Sequence, residues 1–184
     1  MMADYAIPLA ALGDCALLVD LNDEERGLVL AAMTVGSFAT DEVLLQQGIV
    51  THNVWLLLEG RCEVVKEPPS GQLAKAVTLA EITPYETFGE MTLFCDAPHC
   101  TSVWAKTDVK TIKLSRVGFD RLAERRPAIT YRLACNLVNI LGERLRRMDQ
   151  WLTGLLDEHD GAVVEEQWER IGQRLQKTCH GYVF

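Results

Sequence analysis

The sequence has no run of 18 or more apolar residues, so no segment is long enough to cross a bilayer as a helix, and no membrane partner is expected. It also lacks a basic excess. Lys and Arg number 18 against 26 Asp and Glu, for a net charge of −8 and a pI near 5.0, which removes the electrostatic footprint of a nucleic-acid-binding protein. Two local exceptions, "ERRP" at 124–127 and "GERLRRM" at 142–148, set Glu beside Arg and read as solvated helix faces. The six cysteines (15, 62, 95, 100, 135 and 179) show no C-x-x-C spacing or pairing rhythm and read as thiols of a reducing, cytoplasmic interior. No basic region opens the chain, and Asp4 argues against a signal peptide. The serines at 37, 70, 102 and 115 sit in no G-x-S-x-G elbow, and no H-E-x-x-H, Walker or Rossmann pattern occurs. Catalysis is therefore not expected.

What is present is a soluble composition, 48% apolar and 24% charged over 184 residues, enough for one core-bearing domain and a modest appendage. "LNDEERGLVLAAM" (21–33) reads as a helix capped by Asn22, with Glu25 three residues on and an apolar face of Leu28, Val29 and Ala32. After Gly36 the pattern turns to short strands: "SFATDEVLLQQG", "NVWLLLEGRCEVVKE" folded about Glu59-Gly60, "LAKAVTLAEI" (73–82) after a "PPSGQ" loop, and "TDVKTIKLS" (107–115). Strands at this spacing suggest a small antiparallel barrel or sandwich, with Trp55, Trp104 and Phe119 in or near its core. Ser115 is placed to cap a helix over "RVGFDRLAERR", which Pro127 ends or re-aims.

From 128 a helical pattern runs for about thirty residues. Ala134, Leu137, Leu141, Leu145, Met148, Leu152 and Leu155 recur at spacings close to a heptad seam. Its first turns are expected to pack on the chain's own core, and the later ones to meet a second copy, making a homodimer. A further helix is expected around Glu165–Lys177. Trp151 and Trp168 suit a dimer contact, a lid or plain packing.

The order of these parts resembles the cyclic-nucleotide-binding domain of the catabolite-activator (cAMP receptor) family, over roughly Leu12 to Leu156. "LLQQGIVTHNVWLLLEGRCEVV" (44–65), "FGEMTLFCDAPHCTSVWAKTDVKTIKLS" (88–115) and "GFDRLAERRP" (118–127) carry the likeness together. It implies a mainly β fold with α: a double-stranded, jelly-roll-like β-roll flanked by helices, with a long C-terminal dimerisation helix. The boundaries follow as 1–127 for the helical lead and β-roll, 128–157 for the long helix, and 158–184 for a short helix and tail. The family's transcription factors carry a DNA-binding domain after the long helix. Here the 27 residues past Asp157 hold five acidic and three basic side chains, so the resemblance implies the module without that domain.

In that family the segment equivalent to 88–103 is the phosphate-binding cassette, and the resemblance places Phe88, Gly89, Glu90, Met91, His99, Cys100, Thr101 and Ser102 in it. A short helix beginning near Gly89 would offer backbone N–H groups to a cyclic phosphate, and Glu90 would accept from the ribose 2′-hydroxyl. An arginine and then a Ser or Thr usually complete the site; here those positions are His99 and Cys100. A hydrogen bond to a charged group is worth about 1.5–3 kcal/mol, so the change costs roughly tenfold to a hundredfold in affinity. A protonated His99 would tighten phosphate binding as pH falls. Thr130, Asn136 and Asn139 are polar candidates for base contacts near the start of the long helix. "CDAPHC" offers Cys95, His99 and Cys100, and His52 lies near another turn, but no zinc spacing results, and a thiol or haem sensor is the weakest reading.

The reading reached from sequence is thus a regulatory, non-enzymatic ligand-sensing module, with cyclic AMP and cyclic GMP as candidate ligands and no cofactor assigned with certainty. The alternative is a degenerate domain that no longer binds cyclic nucleotide and serves as a dimeric scaffold or adaptor for a protein partner.

Overall fold

The structure is a computed structural model and describes residues 12–68 and 75–157. The helix expected over 165–177, Trp168 and Cys179 lie outside the described residues. Residues through Leu141 form one compact unit and those from Gly142 a second.

Helix α1 (Asp23–Ala31) starts where the sequence put it. Asn22 Oδ1 accepts from the Glu25 N–H at 2.9 Å, while Glu25 Oε2 accepts from the Asn22 N–H at 3.0 Å, so two donors that the helix leaves without partners satisfy each other. Eight strands follow: β1 (Thr34–Phe38), β2 (Val43–Leu45), β3 (Asn53–Glu59), β4 (Cys62–Lys66), β5 (Val77–Ile82), β6 (Thr87–Phe88), β7 (Ser102–Ala105) and β8 (Val109–Ser115). They form two four-stranded antiparallel sheets, in the orders β1-β8-β3-β6 and β2-β7-β4-β5. This is the mainly β roll expected, with helices alongside it.

The run "VWLLL" in β3 does not alternate polar with apolar because the strand is buried on both faces. Trp55 and Leu57 point into the roll, where they join Leu44, Leu45, Cys62, Ile82, Phe88, Val103, Ala105 and Val109. Val54, Leu56 and Leu58 face the other way, onto a second core with Leu12, Leu17, Leu18, Val29, Leu93, Ile112, Leu114, Phe119 and Leu122. Each fully buried side chain of this kind contributes about 1.5–3 kcal/mol. Trp55 and Phe119 are buried as expected, and Trp104 is half-buried.

Helix α2 (Arg116–Arg125) is capped by Ser115, whose Oγ accepts from the Gly118 N–H at 3.1 Å. Arg126 breaks the helical geometry, and Pro127 opens α3 (Pro127–Asp157), where its missing N–H costs nothing. Ile129, Leu133 and Leu137 of α3 bury into the second core, with Ala134 packed against them. Arg132 pairs with Glu25 and donates to the Asp20 carbonyl at 3.0 Å, tying α3 to the lead.

This packing changes the reading of the helix seam. Leu137, which the spacing assigned to it, is 2% exposed in the chain's own core, whereas the next residue, Val138, is 67% exposed. Periodicity fixes spacing but not which of two adjacent apolar residues faces inward, since neighbours on a helix lie only about 100° apart. Among the described residues no helix is long and apolar enough to cross a membrane.

Candidate ligand-binding cassette

The cassette starts where β6 ends. Phe88 lies parallel to Trp55, with ring centroids 6.0 Å apart, and anchors the turn to the roll. Gly89 then takes φ +78°, and a Cβ there would meet the Asn53 carbonyl oxygen at 2.9 Å and the Trp55 ring at 3.1 Å. Glycine is required both by conformation and by close approach. Next comes Glu90–Thr92, a single 3-10 turn. The short helix expected near Gly89 is this one turn, and Leu93, which follows it, is buried in the second core. The turn's macrodipole is correspondingly small, since that field comes from many aligned peptides. Glu90 is 3% exposed and Met91 58%. A carboxylate so deep in a small roll is unusual, as charged side chains are rarely buried for packing alone.

The polypeptide returns through Pro98 to β7. His99 is held by its backbone, its N–H donating to the Ile49 carbonyl at 3.0 Å and its carbonyl accepting from the Gly48 N–H at 2.9 Å. The ring is 5% exposed. Nε2 lies 2.7 Å from Thr51 Oγ1, and Nδ1 lies 3.5 Å from Thr92 Oγ1. Thr92 also donates to the Gly89 carbonyl at 3.2 Å, so a neutral imidazole with its proton on Nδ1 satisfies every group in the chain. Burial pushes the His99 pKa below its usual value, in the same direction. The histidine is turned to its own protein, not presented as a cation.

Folding thus favours the uncharged ring, and the unfolded chain takes up the proton first. The stability that His99 contributes is complete above its unfolded pKa of about 6.5 and is lost as pH falls below it. His99→Gln should lose less thermal stability than the wild type when acidified from about pH 7.5 to about pH 5.5. Melting curves of both proteins at the two values test this; equal losses would mean that the fold does not hold the ring neutral.

Ser102 is fully buried, but its hydroxyl is committed: it accepts from the Gln47 N–H at 2.9 Å and donates to Glu67 Oε1 at 2.6 Å. Gln47 and Glu67 exchange a second pair of bonds, Glu67 N–H to Gln47 Oε1 at 3.0 Å and Gln47 Nε2 to the Glu67 carbonyl at 3.1 Å. Thr101 is half-buried and Cys100 exposed. Beside them, Lys66 Nζ donates to the Cys100 carbonyl at 2.6 Å, a contact that sequence reasoning missed because it joins residues 34 positions apart.

The other candidates fall elsewhere. Cys95 is exposed and donates to the Met91 carbonyl at 2.8 Å, and among the described residues no three potential ligands gather into a metal site. His52 pairs with Asp96 at 2.8 Å on the rim of an open cavity of about 490 Å³, which is lined also by Asn53, Phe94, Ser115, Arg116 and Val117 and includes no cassette residue from Phe88 to Met91 or from His99 to Ser102. Asn136 is not available to a base: its amide donates to the Leu17 and Val19 carbonyls at 3.1 and 2.9 Å. Thr130 donates to the Pro127 carbonyl at 3.0 Å, and Asn139 is exposed.

Comparison with known proteins identifies the family. The family model for the cyclic nucleotide-binding domain matches residues 35–126, half of the chain. A cAMP-dependent protein kinase regulatory subunit of Aspergillus fumigatus is 32% identical over 113 residues, which is 61% of this chain and 26% of that one. The chain thus spans about a quarter of the length of that curated relative. The crystal structure of the Thermus thermophilus catabolite activator protein superimposes with a TM-score of 0.66 and 28% identity, covering 76% of this chain and 62% of the other. A cyclic nucleotide-binding domain from Methylobacillus flagellatus gives a TM-score of 0.69 at 24% identity, over 79% of this chain and 81% of that one, and speaks to the fold.

Proposed function

Because the chain belongs to the cyclic nucleotide-binding domain family, we propose that it is a non-enzymatic regulatory module, in which a cyclic nucleotide at the cassette biases a long helix that pairs with a second copy. One observation carries the reading: Glu90, 3% exposed, stands directly after a glycine held at φ +78° inside the roll. A carboxylate acceptor beside a glycine that allows close approach of the backbone supports a role for Glu90 toward a ribose hydroxyl. The similarity to regulatory subunits of cAMP-dependent protein kinase agrees with a regulatory role, and cyclic AMP and cyclic GMP are the ligands to try first.

The helix supplies the output. In the first unit Tyr131 and Val138 are 71% and 67% exposed; in the second, Leu145 and Met148 are each 68% exposed. With Ala134, Leu141, Leu152 and Leu155 their numbering runs at alternating steps of three and four, the register of a two-stranded coiled coil. A second reading, a scaffold or adaptor that has lost its ligand, draws support from His99, whose ring is occupied by Thr51 and Thr92.

Thermal unfolding in the presence of cyclic AMP and cyclic GMP separates the two readings. A binder gains RT ln(1 + [L]/Kd), about 2.7 kcal/mol at a hundredfold excess over Kd, so its midpoint climbs steadily with ligand. A midpoint that stays put with both nucleotides, in a protein still dimeric by light scattering, would favour the scaffold.

A further inference from the structure

We propose that Lys66, at the end of β4, is the cation that neutralises the ligand's phosphate in this cassette, in the role that the His99 position does not fill. The inference rests on the cyclic-nucleotide reading above and names a binding residue within that site.

The sheet register brings Lys66 there. β4 pairs antiparallel with β7, Val65 opposite Ser102, so the next residue along β4 falls beside the Cys100–Thr101 end of the cassette. Its ammonium is already at that point, 2.6 Å from the Cys100 carbonyl oxygen. Three N–H donors sit on the group, and this contact uses one of them. The four-carbon stem lets the charge follow an anion without moving the backbone.

The charge is also left over for a ligand. On the same sheet Lys106 lies 3.2 Å from Glu63, and the Arg61 guanidinium 3.7 Å from Glu81. Lys66 has no carboxylate within salt-bridge distance among the described residues. Its sequence neighbour Glu67 would be the natural partner, but that carboxylate is turned away to accept from Ser102 at 2.6 Å. The Gln47–Glu67–Ser102 network thereby keeps the acid off the lysine. His99, by contrast, is 5% exposed and held at both ring nitrogens. Of His99 and Lys66, the histidine is buried and the lysine exposed to solvent, where its remaining donors can reach a bound phosphate.

Calorimetric titration of the full chain with cyclic AMP, and with adenosine as the uncharged control, tests this. Lys66→Gln should weaken cyclic AMP binding about tenfold or more and leave adenosine binding unchanged, and Lys66→Arg should restore affinity. Wild-type binding of cyclic AMP that tightened toward acid pH would instead mark a histidine cation as the phosphate contact and overturn the assignment. Equal binding by wild type and Lys66→Gln overturns the assignment, as does a parallel loss of adenosine binding. If the wild type is silent but His99→Arg binds cyclic AMP, the pocket reading stands and the role of Lys66 falls. If neither the wild type nor His99→Arg binds either compound, both readings fall.

Discussion

Gly60→Ala should be among the most damaging single substitutions in this protein, costing about 3 kcal/mol, the sum of a left-handed conformation imposed on a residue with a side chain and a clash that only backbone movement relieves. Gly60 turns the chain from β3 into β4 with φ +85°. A Cβ at this point would sit 2.4 Å from the Asp108 carbonyl oxygen, 2.7 Å from Val109 and 2.8 Å from Thr107 Oγ1. None of these can step aside cheaply. Thr107 Oγ1 accepts from the Arg61 N–H at 3.1 Å, and the Asp108 carboxylate accepts from the Thr40 N–H and hydroxyl at 2.9 and 3.1 Å. Val109 is in the core of the roll. The turn is therefore pressed against the β7–β8 connection, and moving it would shift both sheets. Chemical denaturation of Gly60→Ala against wild type measures the cost. Gly48→Ala is the internal comparison, because it has a similar φ of +83° but nothing within 4 Å of a Cβ; it should lose only the conformational part. Equal losses in the two variants would show that close approach at Gly60 contributes nothing.

That pair also shows what a sequence discloses. Glu59-Gly60 between two apolar runs announces a turn, and the turn is there. The helix caps were equally legible, since the Asn22–Glu25 capping box and the Ser115 N-cap on the Gly118 N–H act across three residues. Local rules have local signatures. The contacts that decide the chemistry of the cassette do not: His99 to Thr51 spans 48 positions, Ser102 to Glu67 35, and Lys66 to Cys100 34. The motif order suggested where a cassette would lie, yet only the fold shows that His99 faces inward onto two threonines while Lys66, from another strand, stands beside Cys100. The short helix is there, but its extent was not legible for a related reason. Gly89 marks its start, but its end is set by Leu93 finding a place in a core assembled from the lead, α1, β3, β8, α2 and α3.

The seam on α3 gives the second large effect, and it separates two roles that look alike in the sequence. Leu137→Ala removes a side chain that is 2% exposed among Leu133, Ile129 and the helical lead, and should cost about 2–5 kcal/mol of stability. Leu145→Asp changes a residue that is 68% exposed, so it should leave the fold of the roll unaltered. In the proposed homodimer, however, Leu145 and Met148 would share a coiled-coil seam, so the new carboxylate would be buried against the partner helix without a counter-charge and that dimer should come apart. The two variants are therefore expected to diverge. Leu137→Ala should lower the denaturation midpoint while keeping the dimer mass where it remains folded, and Leu145→Asp should halve the mass by light scattering with its circular dichroism little changed. Val138→Asp discriminates further, because it lies one residue from Leu137 but 67% exposed, and it should behave like Leu145→Asp. If both aspartate variants kept the wild-type mass, the exposed register of Tyr131, Val138, Leu145 and Met148 would not be the pairing face, and the output of the module would have to be sought on another surface.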